Sequence, residues 1–235
     1  MIDVLAEIAR TGIVRDAAGN EYEARPAGIP EKTGLLLARL VREAGAQRTL
    51  ETGFAYGLST LFICEALRER HGDPPPSPKR SGVLRRWLGA AARRGSSGPL
   101  HTVIDPCQDS VWHNVGLENA RRAGFESMLR FFGKSSHTVL PQLLDAKERF
   151  GLVFLDGSHL FDYVFIDFFY ADKMIEVGHH IVLDDKSMPA VSQLIDFVTS
   201  NLRYEVVPSD EAPNVCVLCK TGDSDERAWD HHVRF

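Results

Sequence analysis

The sequence has no run of about 18 apolar residues, the length a bilayer-spanning helix needs. Its N-terminus, "MIDVLAEIARTGIVRD", carries acids where a secretory leader carries a basic head and an apolar stretch. These absences predict a soluble, cytoplasmic chain without stable membrane association. Cysteine is scarce: four in 235 residues are too few for a disulfide scaffold. Cys64 falls on an apolar helix face, an ordinary place for a small buried thiol. Cys216 and Cys219 form a CxxC with His231 and His232 beyond, but "NVCVLCK" has strand composition, which puts the two sulfurs on opposite faces and argues against zinc. Excess positive charge is also missing, since 27 Lys and Arg against 32 Asp and Glu leave a net charge of −5. An acidic chain whose one basic stretch offers a lone Trp87 has no stacking platform for nucleic acid.

The length fits one sizeable core with a small appendage. Strand patterns near 48–53, 101–105, 128–132, 152–156, 179–184, 203–207 and 214–219 alternate with helical periodicity. Residues 30–45 begin with a proline suited to a first helical turn, repeat Leu36, Leu37, Leu40 and Val41 at helical spacing, and end in Gly45. The last two strands are separated only by "PSDEAPN", too short for a crossover helix, so they pair antiparallel. The expected fold is therefore α/β: a Rossmann-like, doubly wound sheet of about seven strands, mostly parallel, with a terminal antiparallel hairpin.

Residues 71–100, "HGDPPPSPKRSGVLRRWLGAAARRGSSGPL", read as an insertion in a helix-to-strand loop. Residues 68–100 hold eight Arg or Lys and two acids, so charge is segregated along the chain. A solvated loop and a contact surface for an acidic partner both fit this pattern. The expected organisation is a cap segment over 1–29, a main domain over 30–220 that includes the insertion, and a tail over 221–235.

The stretch "RTLETGFAYGLST", residues 48–60, is a strand running through a turn bracketed by Gly53 and Gly57 into a helix near Leu58. Such a turn aims backbone N–H groups at the top of a parallel sheet and lets a ligand approach closely. The GxGxxG spacing of dinucleotide sites is absent, and Glu51 would repel a pyrophosphate while suiting a cationic head such as the amino group and sulfonium of S-adenosylmethionine. A tight turn with no ligand is the alternative. "HTVIDP" closes the second strand with Asp105, placed for ribose hydroxyls or for capping a helix; Ser110 is the better placed cap. "LVFLDGSH" and "HHIVLDD" end in Asp156 and in the pair Asp184 and Asp185. On adjacent parallel strands these carboxylates converge, which suits a hard cation such as Mg²⁺, Mn²⁺ or Ca²⁺. Helix capping, or pairing with Lys186, is the alternative.

These segments, with "GKSSHTVLPQL", carry a resemblance. From about residue 30 to 220 the chain is similar to class I S-adenosylmethionine-dependent methyltransferases, and among them to the metal-dependent small O-methyltransferases related to catechol O-methyltransferase and to bacterial antibiotic- and sugar-tailoring enzymes. The resemblance implies S-adenosylmethionine as cofactor, with Glu51, Gly53, Ala55, Gly57 and Ser59 at its methionine end, Asp105 on the ribose, Ser136 and His137 beside the adenine, and Asp156 bordering it. It implies a divalent metal, Mg or Mn, on Asp156, Asp184 and Asp185. Two departures stand out: Ala55 replaces the middle glycine of the common turn, and His159 stands where the catechol enzyme has a lysine base. With Asp156, His159 is the catalytic candidate, as proton acceptor or as a structural hydrogen-bonding group. The expected function is methylation of a hydroxyl on a small-molecule acceptor, with homo-oligomerisation left open. A nicotinamide oxidoreductase and a catalytically silent binding subunit are the rival readings.

Overall fold

The computed structural model describes residues 2–25, 27–72 and 98–235. Its centre is a seven-stranded sheet built from β3 (Arg48–Thr52), β4 (Leu100–Ile104), β5 (Leu129–Phe132), β6 (Phe150–Leu155), β7 (Ile175–Leu183), β8 (Tyr204–Val207) and β9 (Cys216–Lys220). The spatial order is β5-β4-β3-β6-β7-β9-β8. β3 pairs parallel with β4 on one side and β6 on the other, β7 continues parallel, and β9 turns antiparallel to both β7 and β8. The chain leaves β3 toward opposite sheet edges in its two halves. That reversal opens a crevice at the carboxyl ends of β3, β4 and β6.

Helices α2 (Glu31–Ala44), α3 (Leu58–His71), α4 (Val115–Arg122), α5 (Ser136–Asp145), α6 (Phe161–Met174) and α7 (Pro189–Asn201) follow the strands. α2 spans the segment read as helical, and Gly45 ends it in the left-handed conformation at φ 61°. Strand alternation divides the core. Leu152 and Phe154 of β6 face α2 and α3, whereas Val153 and Leu155 face Leu140, Phe168 and Leu194 of α5, α6 and α7.

The first residues form α1 (Asp3–Thr11) and a small hairpin of β1 (Ile13–Arg15) and β2 (Glu21–Glu23). Val4, Leu5 and Ile8 of α1 join the core beside α2 and α3, and Glu7 pairs with both Arg15 and Arg122. The final residues are also anchored, because Asn201 donates to the Val233 carbonyl at 2.8 Å and accepts from its N–H at 2.6 Å.

Two details depart from the sequence reading. The N-terminal hairpin was not anticipated, and β7 begins at Ile175, four residues before the expected start. Most of the basic insertion lies outside the described residues. Cys216 is buried while Cys219 is half-buried, and the opposite facing expected of the CxxC follows from the strand. Among the described residues no helix is long and apolar enough to cross a membrane.

Candidate functional site

The first turn is shaped by two glycines and one strained alanine. Gly53 and Gly57 have φ of 84° and 77°. A Cβ on Gly53 would stand 1.9 Å from the Asp156 carbonyl oxygen, so glycine is what lets the ends of β3 and β6 meet. Ala55 lies between them at φ 44°, a left-handed conformation that opposes its own Cβ. Hydrogen bonds hold it there. The Asp105 Oδ2 accepts from the N–H groups of Phe54 and Ala55 at 3.1 and 3.0 Å, and Gln108 Nε2 spans Asp105 Oδ2 and the Ala55 carbonyl. Oδ1 accepts from Cys107 N at 2.7 Å. Asp105 thus ties the turn after β3 to the turn after β4.

Glu51, which the resemblance implies at the methionine end of the cofactor, lies beneath the turn. Its carboxylate is fully buried, accepting from Ser59 Oγ, from Thr60 Oγ1 at 2.6 Å, and meeting His101 Nε2 at 2.7 Å. The other His101 nitrogen meets Thr49 Oγ1 at 2.8 Å. With these partners inside the protein, Glu51 pins the first turn of α3 to β3 from beneath.

Above the turn lies a cleft of about 310 Å³ whose walls include Gly53, Ala55, Ser59, Asp105, Ser136 and Asp156. The volume falls within the range typical of small-molecule sites. Ala27 and Ile29 close one side and Val111 and Trp112 another, so the N-terminal segment helps to form the cleft. Glu51, Gly57, His137, His159, Asp184 and Asp185 do not line it. Gly57 instead closes the turn through its N–H to the Phe54 carbonyl, and His137 packs edge-on against Tyr163, which does line the cleft.

Beside the cleft Asp156 and Asp185 approach one imidazole, that of His159. Asp184 N donates to the Leu155 carbonyl, bringing the end of β7 alongside Asp156. His159 Nε2 stands 3.3 Å from Asp185 Oδ2 and 3.9 Å from Asp156 Oδ1, within ion-pair reach of both but with hydrogen-bond geometry to neither. Asn214, from the loop before β9, donates to Asp184 Oδ1 at 3.0 Å and Asp185 Oδ1 at 2.8 Å. Asp185 sits at φ 50°. Burial, then the neighbouring Asp184, Glu51 and Asp185 charges, push the Asp156 carboxyl well above the usual range. Burial also raises Asp184, partly opposed by its hydrogen bonds from Asp185 N and Asn214. Ionised together, these carboxylates would carry more negative charge than the one imidazole can balance. Hard oxygen donors in that state fit a divalent cation chemically. Even so, among the described residues no three acid, histidine or cysteine side chains are gathered as a ready ligand set.

Three residues that sequence reasoning passed over belong to the site. Asn214 lies in the hairpin loop read only as a connection, His101 inside a strand, and Asp167 inside an apolar helix. Asp167 carried a signal, a lone acid in the run "YVFIDFFYADK".

The chain is similar to known methyltransferases. Residues 79–186 match the model of a family described as a methyltransferase domain. Among solved structures, the O-methyltransferase from Bacillus cereus in complex with S-adenosylhomocysteine superposes with a TM-score of 0.65 at 17% identity, covering 94% of this chain and 92% of that one. The O-methyltransferase TomG from Streptomyces achromogenes, involved in tomaymycin synthesis and solved with S-adenosylmethionine, gives 0.60 at 18% identity, covering 84% and 83%. The fold is that of the class I methyltransferases.

Proposed function

We propose that this chain, whose fold and domain match are those of an S-adenosylmethionine-dependent methyltransferase, transfers the methyl group to a hydroxyl of a small molecule. The observation that carries the reading is the cleft between the Gly53–Gly57 turn and Asp105, bordered by the Asp156, Asp184 and Asp185 cluster. The turn's backbone and Ser59 receive the amino acid end of the cofactor, Asp105 the ribose, and the wall containing Ser136 the base.

The sulfonium is already an active donor, so the protein's task is alignment and activation of the acceptor. The acceptor oxygen attacks the methyl carbon in line, a C–O bond forms as the C–S bond breaks, and the sulfur keeps the bonding electron pair as a neutral thioether. The acceptor's proton leaves to His159, whose Nε2 is buried without a hydrogen-bond partner behind the cleft wall and turns toward the cleft to take it. Asp156 and Asp185 then stabilise the resulting imidazolium from 3.9 and 3.3 Å. A divalent cation would be held by Asp156, Asp184 and Asp185, where it would lower the acceptor hydroxyl's pKa. A second reading, in which His159 does this work without metal, draws support from the imidazole's position between Asp156 and Asp185.

Incubation with S-adenosylmethionine labelled in the methyl group and a panel of mono- and vicinally dihydroxylated acceptors tests both readings. Label should enter an acceptor, activity should fall with EDTA, and Mg²⁺ or Mn²⁺ should restore it. Full turnover in the presence of EDTA would leave the metal-free reading, and absence of transfer to every acceptor would favour a silent binding subunit.

A further inference from the structure

Helix α4 packs on the turn after β3 through Gly116 and Asn119, a spacing that puts both on one helix face. A Cβ on Gly116 would stand 2.7 Å from the Ala55 carbonyl oxygen, and one on Gly57 would stand 3.2 Å from the Gly116 Cα. The two glycines let helix and turn meet backbone to backbone. Asn119 is wholly buried and donates from Nδ2 to the Tyr56 carbonyl at 3.0 Å. The Gly57 N–H, at the other end of that peptide, donates to the Phe54 carbonyl at 2.7 Å, so the peptide is held on both sides. Asn119 Oδ1, by contrast, is buried without a partner. An apolar residue of the same shape would avoid the cost of that orphaned acceptor, so stability alone does not account for an asparagine here.

We infer that Gly116 and Asn119 are positioning residues for the methyl donor. Neither lines the cleft, whereas Ala55, Leu58 and Ser59 do. The pair acts through the turn: it fixes the course of residues 55–57 and with it the first residues of α3, where Ser59 stands. Gln108 also holds the Ala55 carbonyl, but it bonds Asp105 as well and so bears on both parts of the cleft. Asn119 reaches the turn alone. The inference rests on the cofactor reading above, in which the turn and Ser59 receive the amino acid end and Asp105 the ribose. A displaced turn then weakens the grip on the amino acid end and spares the nucleoside.

Two ligands separate these effects: S-adenosylhomocysteine, and 5′-methylthioadenosine, which shares its nucleoside and thioether but lacks the amino acid end. Their affinities are measured by calorimetry on wild type, Asn119→Leu and Gly116→Ala. Leucine keeps the branched shape of asparagine and removes the donor. Alanine suits a helix better than glycine, so Gly116→Ala acts through its contact with the Ala55 carbonyl and not through loss of α4. Each comparison is a ratio within one preparation, which partial unfolding does not distort. Wild type should prefer S-adenosylhomocysteine, and each variant should cut that preference by about fivefold, the scale of one hydrogen bond. A purely structural α4 would weaken both ligands alike. A preference within about threefold of wild type in either variant would therefore overturn the inference and leave cofactor binding intact. So would equal affinity of wild type for the two compounds. No binding of S-adenosylhomocysteine to wild type would overturn both the inference and the cofactor reading.

Discussion

The Glu51 carboxylate and the His101 imidazole meet at 2.7 Å with both side chains fully buried. They stand directly under the turn that faces the cleft, and Ser59 and Thr60 of α3 complete the Glu51 shell. Removing His101 takes one of the three side-chain partners of the buried Glu51 carboxylate. His101→Ala should therefore lower unfolding stability by about 3 kcal/mol, the range for breaking a buried pair. Urea denaturation measures this directly, and a loss under about 1 kcal/mol would mean that Glu51 finds other partners.

Ala55 at φ 44° leads to an opposite expectation for a usually harmful change. Alanine to glycine normally destabilises through the flexibility it adds to the unfolded chain. Here glycine also relieves a left-handed strain of about 1–2 kcal/mol, so Ala55→Gly should be neutral or stabilising by up to about 1 kcal/mol. Thermal unfolding checks it; a clear drop in Tm would show that the turn carries no such strain.

Both raised carboxyls beside the cleft predict a pH dependence in protein treated with a chelator. Asp156 and Asp184 titrate above 3.8 in the folded state, so between 3.8 and those raised values the native state holds more protons than the unfolded one. Their contribution to stability is then least favourable at high pH and improves as pH falls through the folded values toward 3.8. Asp156→Asn, which mimics the protonated form, should stabilise the chelated protein at pH 8 and have little effect near pH 4.5. A pH-independent difference between variant and wild type would contradict the repulsion argument.

Much of this was legible in the sequence because it follows from periodicity. The seven strands of the main sheet, the antiparallel end and the α2 boundary at Gly45 are where apolar patterning and turn residues placed them. The hairpin of β1 and β2 escaped because three-residue strands leave no pattern. β7 began early because "EVGHH" breaks the apolar alternation, yet Ile175 still pairs with Phe150 across a register shift. The strand-end acids were visible as candidates, but where each carboxylate turns is decided by tertiary neighbours. Glu51 faces inward because a histidine two strand positions into β4 awaits it, and no local pattern announces that partner. Asn214 holds Asp184 and Asp185 from 30 and 29 residues away, a relation that only the fold creates.

Cysteine labelling gives an independent view of the cleft. Cys64 is buried, and burial pushes the Cys216 thiol up to about 11, so both should resist iodoacetamide under native conditions. Cys107 is half-buried and lines the cleft. Mass spectrometry should find it modified more readily than Cys64 or Cys216, and saturating S-adenosylhomocysteine should slow its modification several-fold. Equal labelling with and without the ligand would place the ligand elsewhere.

The account turns on cofactor binding at the Gly53–Gly57 turn and Asp105, and calorimetric titration with S-adenosylhomocysteine tests that most directly. One binding event per chain is expected, weakened by about 1–3 kcal/mol in Asp105→Ala through loss of the ribose contact and of the tie to Phe54 and Ala55. Absence of binding heat from folded wild type, or equal affinity in wild type and Asp105→Ala, would contradict it.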